Sequence, residues 1–113
     1  MKVLLDHNLP HKLRSELVTL SQHDIATASY MGWRALRNGE LLRAAEHNGF
    51  DVFVTGDQTL VYEQNLTGRR LAILALTATN WPIIKDYVAK ILAAINSARP
   101  RSFQIVECGK FTR

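Results

Sequence analysis

The chain has 113 residues, a formal net charge of +4 and a single cysteine, Cys108. A chain of this length can bury a core as one domain, and one cysteine excludes both an internal disulfide framework and a cysteine-based zinc site. We therefore expect a single domain over residues 1–113, in a reducing compartment, the cytoplasm. The N-terminal apolar run is too short for a signal peptide and no stretch has the length of a membrane-spanning helix, so no membrane is expected as a partner.

Apolar runs and helix-capping residues alternate along the chain. In the first half they predict a strand at residues 3–5, a helix capped by Asn8, a strand at 24–27, a loop or partial helix at 29–37 and a helix capped by Asn38 that ends near Asn48-Gly49. In the second half they predict a strand at 52–55, a short helix at 60–66, a strand at 71–76, a long amphipathic helix at 81–98 and an edge strand at 103–107. Strands separated by helices indicate an α/β fold, a three-layer α/β/α sandwich with a mostly parallel central sheet.

Three acidic side chains are expected at one edge of this sheet. Asp6 directly follows the first strand, Asp57 follows the strand at 52–55, and Glu40 lies in the first turn of a helix. The carboxyl ends of parallel strands line the crevice where open α/β sheets bind ligands. Carboxylates brought together repel one another unless a cation intervenes, and Mg²⁺ or Mn²⁺ suits oxygen ligands and is commonly completed by substrate phosphates. The acids therefore predict a metal site, with phosphodiester hydrolysis as the reaction to test first.

Each acid also has an ordinary structural interpretation. Asp6 can be a solvated turn residue, Glu40 can interact with the positive end of its helix, and Asp57 can be a turn aspartate. His7 and His11 are four residues apart, a spacing that suits zinc only if both lie in regular helix, which we do not expect. The prediction of a metal site depends on the three acids together.

Further polar side chains near the same edge are candidates for substrate contacts. The positive net charge favours encounter with a polyanion, although solvated helix faces explain individual basic residues equally well. The candidates are Asn8, Lys12, Arg14, Arg34, Arg37, Thr55 and Thr59. Tyr30 and Trp33 could stack on an unpaired base, but we expect them to close the core. Arg69 and Arg70 precede the fourth strand, at the opposite edge, and suit solvent or a partner better.

The order of these motifs resembles the PIN-like family of small bacterial proteins. The stretches that carry the resemblance are MKVLLDHNLP at residues 1–10, HDI at 23–25, NGELLRAA at 38–45 and VFVTGD at 52–57. This family is similar to PIN-domain ribonucleases, which include the toxins of toxin–antitoxin pairs. The resemblance implies acidic residues that hold Mg²⁺ or Mn²⁺, RNA as the substrate and an antitoxin protein as a partner.

Carried over position by position, the resemblance assigns Asp6 as the acid after the first strand and Asp57 as the acid of a Thr-x-Asp motif. The family usually has an aspartate where this chain has Asn38, and often a second acid where this chain has Thr59. Asn38 could still offer its amide oxygen to a metal, and Glu40 could replace the missing carboxylate. With so few acids, one metal is a safer expectation than two.

Two functions from different classes follow. The first is a metal-dependent endoribonuclease in which Asp6, Glu40 and Asp57 are catalytic and bind the metal together with Asn38. The second is a catalytically silent PIN-like domain that binds RNA or a protein partner, and Asn38 and Thr59 favour it. A phosphoryl-transfer role for Asp6 is disfavoured, because haloacid-dehalogenase-like phosphatases need an aspartate at the position of Asn8 and receiver domains need an acidic pair that this chain lacks. Any excess apolar surface on the long helix would make a homodimer surface.

Overall fold

The computed structural model describes residues 1–60 and 69–109, apart from the side chain of Asn38. In chain order its elements are β1 (Lys2–Leu5), α1 (His11–Leu20), β2 (Asp24–Thr27), α2 (Asn38–His47), β3 (Val52–Thr55), β4 (Ala72–Leu76), α3 (Trp81–Ile84), a 3₁₀ turn (Lys85–Tyr87), α4 (Val88–Asn96) and β5 (Phe103–Val106). Strands and helices alternate as expected from the apolar runs, except between β3 and β4, where residues 61–68 lie outside the described ranges. No helix in the described ranges is both long enough and apolar enough to cross a bilayer.

The five strands form one sheet in the order β2-β1-β3-β4-β5, and every neighbouring pair is parallel. The α/β class and the parallel sheet predicted from the sequence are therefore confirmed. Strands β3 and β4 are buried along their whole length, as expected for central strands that are covered on both faces. The last strand, β5, lies at an edge of the sheet as predicted.

Alternate side chains of the central strands enter two separate apolar clusters, one on each face of the sheet. On one face, Val52 and Val54 of β3 pack with α1 and with the helices between β4 and β5. On the other face, Phe53 packs with Leu41, Leu42 and other residues of α2. Helices therefore cover both faces, which gives the three layers of the predicted sandwich.

Two helix starts differ from the expectation. Helix α1 begins after Pro10, which has extended backbone (φ −71°, ψ 145°), and no side chain caps it, so Asn8 is not its cap. The ring of Pro10 fixes φ and sets the start of the helix without a polar cap. Helix α2 begins one residue earlier than expected: Asn38 is its first helical residue and Arg37 the preceding cap residue. Gly49 follows this helix with φ 79°, the expected left-handed stop.

The long amphipathic helix predicted at 81–98 is interrupted. A 3₁₀ turn at Lys85–Tyr87 separates α3 from α4, and α4 ends at Asn96. The prediction of one continuous helix was wrong because both pieces carry the same apolar period, which does not report a locally tightened turn. The apolar face shared by α3 and α4 lies in the core as expected, since Ile84, Val88 and Ile91 are buried. The short helix expected at 60–66 falls, beyond Leu60, outside the described residues.

Candidate functional site

The strand order reverses its direction of growth between β1 and β3, because β2 lies on one side of β1 whereas β3, β4 and β5 continue on the other. In doubly wound sheets, ligands bind in the crevice at the carboxyl ends of the strands at such a point. The chain segments that leave β1 and β3 begin with Asp6 and Gly56. The predicted acids Asp6 and Asp57 therefore follow two hydrogen-bonded neighbouring strands at the same end of the sheet.

Asp6 is the one buried acid in the described part of the chain, with 5% of its surface exposed. Its backbone N–H donates to the Val54 carbonyl over 2.8 Å, which joins the first turn to β3. Its Oδ2 accepts the Thr55 hydroxyl at 2.7 Å, and its Oδ1 accepts the His7 backbone N–H at 2.8 Å. The His7 imidazole Nδ1 lies 3.0 Å from the same Oδ1. Hydrogen bonds to both oxygens thus fix the orientation of the Asp6 carboxylate.

The Thr55 hydroxyl connects the two acids. This fully buried residue donates to Asp6, and its oxygen accepts the backbone N–H of Asp57 at 3.1 Å. Oδ1 of Asp57 in turn accepts the backbone N–H and the hydroxyl of Thr59, at 2.9 and 2.7 Å. Two predicted substrate contacts, Thr55 and Thr59, are therefore placed where they orient the two carboxylates.

Glu40 and Asn38 stand apart from this pair. Glu40 is exposed, and its Oε1 accepts the Arg37 backbone N–H at 3.1 Å, which satisfies a free amide at the start of α2. Over the described ranges 1–60 and 69–109, no three His, Cys, Asp or Glu side chains form a group that could hold a metal ion. The structure therefore does not bring Glu40 together with Asp6 and Asp57 as one cluster. The side chain of Asn38 lies outside the described residues.

Asp6 and Asp57 are the two acids at this end of the sheet that could offer carboxylate oxygens to one hard divalent ion. An ionised carboxylate has about four lone-pair positions, and those of Asp6 are only partly used by Thr55 and His7. Mg²⁺ is bound through one or two carboxylates with waters and substrate phosphates in the remaining positions. Two separate oriented carboxylates at a ligand crevice match this pattern, whereas a site for two metals would need more acids than the described residues supply.

Gly56 marks a close approach of three loops. A Cβ built on it would overlap the methyl group of Thr79, which follows β4, and would lie 3.4 Å from the amide nitrogen of Asn8, which follows β1. Only glycine leaves room for this approach. Asn8, predicted as a substrate contact, is thus beside the turn after β3. Sequence reasoning missed Thr79, although its place just beyond a buried strand is the signal that identified Asp6.

The basic candidates divide into two kinds. Arg14 donates its Nε to the Ile25 carbonyl at 2.9 Å, so its guanidinium covers the outer side of β2. Lys12, Arg34 and Arg37 are exposed, Lys12 in the first turn of α1 and the two arginines in the loop that follows β2. These three can meet a polyanion at the carboxyl end of the sheet, whereas Arg14 has a structural role.

The aromatic and histidine candidates lie in different environments. Trp33 packs against the core and meets Phe50 edge to face, with ring centroids 6.1 Å apart, as expected. Tyr30 is 83% exposed, so the expectation that it closes the core was wrong. It lies in the loop after β2, where no apolar element among the described residues packs over it. His7 precedes α1 and His11 begins it, so the pair does not lie in regular helix.

The opposite end of the sheet has its own acidic group. Glu46 pairs with the Arg69 guanidinium at 3.2 Å, and its Oε2 accepts the backbone N–H groups of Arg70 and Leu71 at 2.6 and 3.2 Å. Arg69 and Arg70 are thus far from the acids that follow β1 and β3, as the sequence predicted.

Comparisons of the chain with protein-family models, with curated proteins and with solved structures found no match.

Proposed function

We propose that the chain is a PIN-like endoribonuclease that requires Mg²⁺ or Mn²⁺ and hydrolyses phosphodiester bonds in RNA. The observation that carries the proposal is the buried carboxylate of Asp6 at the reversal point of the sheet. Burying a carboxylate is unfavourable unless its charge is balanced. Among the described residues the His7 imidazole is the only basic side chain within 4.0 Å of Asp6, and no lysine or arginine is. A divalent cation bound at Asp6 would balance its charge.

In this proposal Asp6 and Asp57 hold the ion, and Glu40 and Asn38 are the further candidate ligands. A bound ion supplies Lewis-acid polarisation of a phosphoryl oxygen. Thr55 orients Asp6, and Thr59 orients Asp57, so neither carboxylate loses much rotamer freedom on binding. Lys12, Arg34 and Arg37 would contact phosphates, which position the RNA without reading its sequence.

The test is cleavage of end-labelled single-stranded RNA in the presence and absence of Mn²⁺. The wild type should cleave only with Mn²⁺, Asp6→Asn should lose cleavage, and Asp24→Asn, which removes an exposed acid at the amino end of β2, should retain it. Glu40→Gln is informative because glutamine can still accept the Arg37 amide in the capping position. A steep loss in this variant therefore reports the charge of Glu40 and not the start of the helix.

One observation favours the second function, a catalytically silent PIN-like domain that binds RNA or a protein. Glu40 caps its own helix and no three-acid group forms among the described residues. In that case RNA would bind without being cleaved, and binding would respond neither to Mn²⁺ nor to Asp6→Asn. The toxin role is tested in parallel: expression of an active ribonuclease toxin should arrest growth, and Asp6→Asn should abolish the arrest.

A further inference from the structure

The two edges of the sheet are protected to different degrees. At the β2 edge, Arg14 donates to the Ile25 carbonyl and the backbone N–H of Met31 donates to the Thr27 carbonyl at 3.1 Å. Both carbonyls point away from β1, because the flanking residues Asp24 and Ala28 donate their own N–H groups to the β1 side. The outward carbonyls of the β2 edge are thus occupied by the chain itself, which disfavours pairing with another strand.

As far as residues 1–60 and 69–109 show, the β5 edge is open along its central residues. The carbonyls of Ser102 and Val106 accept N–H groups from β4 and the turn after it, at 2.9 and 3.2 Å. Backbone groups of successive strand residues point to opposite sides, so those of Phe103 and Ile105 face outward. Within the residues that the structure describes, no hydrogen bond reaches these outward groups. Lys90 donates to the Glu107 carbonyl at 2.8 Å, just beyond the strand.

We propose that two copies of this chain associate through β5, antiparallel, about a two-fold axis at Gln104. Outward backbone groups occur at Phe103 and Ile105, so only registers that pair these positions exchange hydrogen bonds across the interface. Centring on Gln104 pairs Phe103 of each copy with Ile105 of the other. The same register brings the basic side chain of Arg101 toward the acidic side chain of Glu107 at both ends of the interface.

Side-chain chemistry selects this register over its neighbours. If the two-fold axis passed through Phe103, Arg101 of one copy would face the apolar Ile105 of the other. If the axis passed through Ile105, Glu107 of one copy would face Phe103 of the other. Only the Gln104 register matches apolar with apolar and acid with base, and opposite charges across a strand pair stabilise it. Arg101 and Glu107 are both exposed, and Arg101 has φ 66°, so their pairing is made by long side chains beyond the regular ladder.

The surfaces beside β5 fit a second copy. Ile105 is 50% exposed, next to the partly buried Phe103 on the face covered by α2, so a Phe103–Ile105 cluster formed by both copies would bury apolar surface. On the other face, a groove of about 610 Å³ between α4 and β5 is lined by residues that include Lys90, Ala93 and Ser97. The two grooves would lie side by side around the axis. A strand of four residues makes a small interface, so reversible association is expected.

The test uses charge reversal and sedimentation velocity from about 10 μM to about 1 mM protein. Arg101→Glu alone and Glu107→Arg alone each place like charges at both ends of the interface, so each should dimerise at least about tenfold more weakly than the wild type. Mixed in equal amounts, the two variants should form a heterodimer with opposite charges at both ends. Ile105→Lys should be monomeric, and Val18→Lys, at a similarly exposed apolar residue of α1, should dimerise normally.

Hydrogen exchange provides a readout without substitutions. The amides of Phe103 and Ile105 should exchange quickly in dilute protein and become protected as the concentration rises, while the β2 amides should not change. A wild type that stays monomeric at all concentrations would overturn the proposal. So would single variants that dimerise like the wild type, or a mixture that associates no better than its components.

Discussion

The two ends of the sheet hold their acidic side chains in different ways. At the amino end, Glu46 is paired with the Arg69 guanidinium and also accepts the backbone amides of Arg70 and Leu71, directly before β4. A cation therefore balances its charge, and its hydrogen bonds fix the entry of a strand. Glu46 therefore has a structural role that depends on its charge.

At the carboxyl end, Asp6 is more deeply buried than Glu46, yet its oxygens accept a hydroxyl and a backbone amide. The His7 imidazole is the only basic side chain within 4.0 Å of it in the described ranges. Neutral donors orient a carboxylate without cancelling its charge. The difference teaches that burial alone does not show how the charge of an acid is balanced, whereas the charge of its partners does.

The largest expected effect is at the amino end. Glu46→Ala removes the partner of Arg69 and leaves two backbone amides without their acceptor, so the free energy of unfolding should fall by about 3 kcal/mol. Glu46→Gln should show a smaller loss, because its amide oxygen can still accept both backbone N–H groups in place of Oε2, and only the charge that faces Arg69 is lost. Urea denaturation of both variants measures the difference. Equal stability of Glu46→Ala and the wild type would remove the structural role assigned to this acid.

A smaller effect is expected at the carboxyl end. Asp6→Ala leaves the Thr55 hydroxyl and the His7 amide without their acceptor, at a cost of about 2 kcal/mol. Asp6→Asn should change stability by less than about 1 kcal/mol, because its oxygen can accept the amide, its NH₂ group can donate to Thr55, and one negative charge near Asp57 is removed. The same denaturation experiment applies. A loss in Asp6→Asn as large as in Asp6→Ala would mean that the charge itself is structural.

The smallest effect concerns Cys108, a buried thiol beyond β5. Burial raises the pKa of Cys108, although the nearby Lys90 opposes the rise. The folded thiol then keeps its proton at a pH where the unfolded thiol ionises, so stability should fall as the pH rises above about 8.5. Between pH 7.5 and 9.5 the wild type should lose more stability than Cys108→Ala. Parallel stability profiles for the two proteins would contradict this assignment.

Much of the fold could be predicted from local pattern. Short apolar runs such as Val52–Thr55 predicted the strands, and the alternation of strands and helices predicted the parallel sheet. The same reasoning placed Asp6 and Asp57 after neighbouring strands. Local patterns failed at the start of α1, which the ring of Pro10 sets, and at the 3₁₀ turn before Val88, which the apolar period does not indicate.

The details of the site depend on contacts between distant segments. The hydrogen bond of Thr55 to Asp6 and the approach of Thr79 to Gly56 join loops that are far apart in the sequence. The hydrophobic periodicity of the sequence does not indicate such contacts. Glu40 illustrates the reverse problem, because its position in a first helical turn predicted equally a metal ligand and the cap that it forms.

The most direct test of the contrast between the two ends is calorimetric titration with Mn²⁺. The wild type should bind one Mn²⁺, Asp6→Asn should lose this binding, and Asp24→Asn, at the amino end of β2, should keep it. Asn38→Asp, which adds a carboxylate at the start of α2, should bind more tightly than the wild type. Equal Mn²⁺ binding by the wild type and Asp6→Asn, or no binding by either the wild type or Asn38→Asp, would contradict a metal site at the carboxyl end of β1.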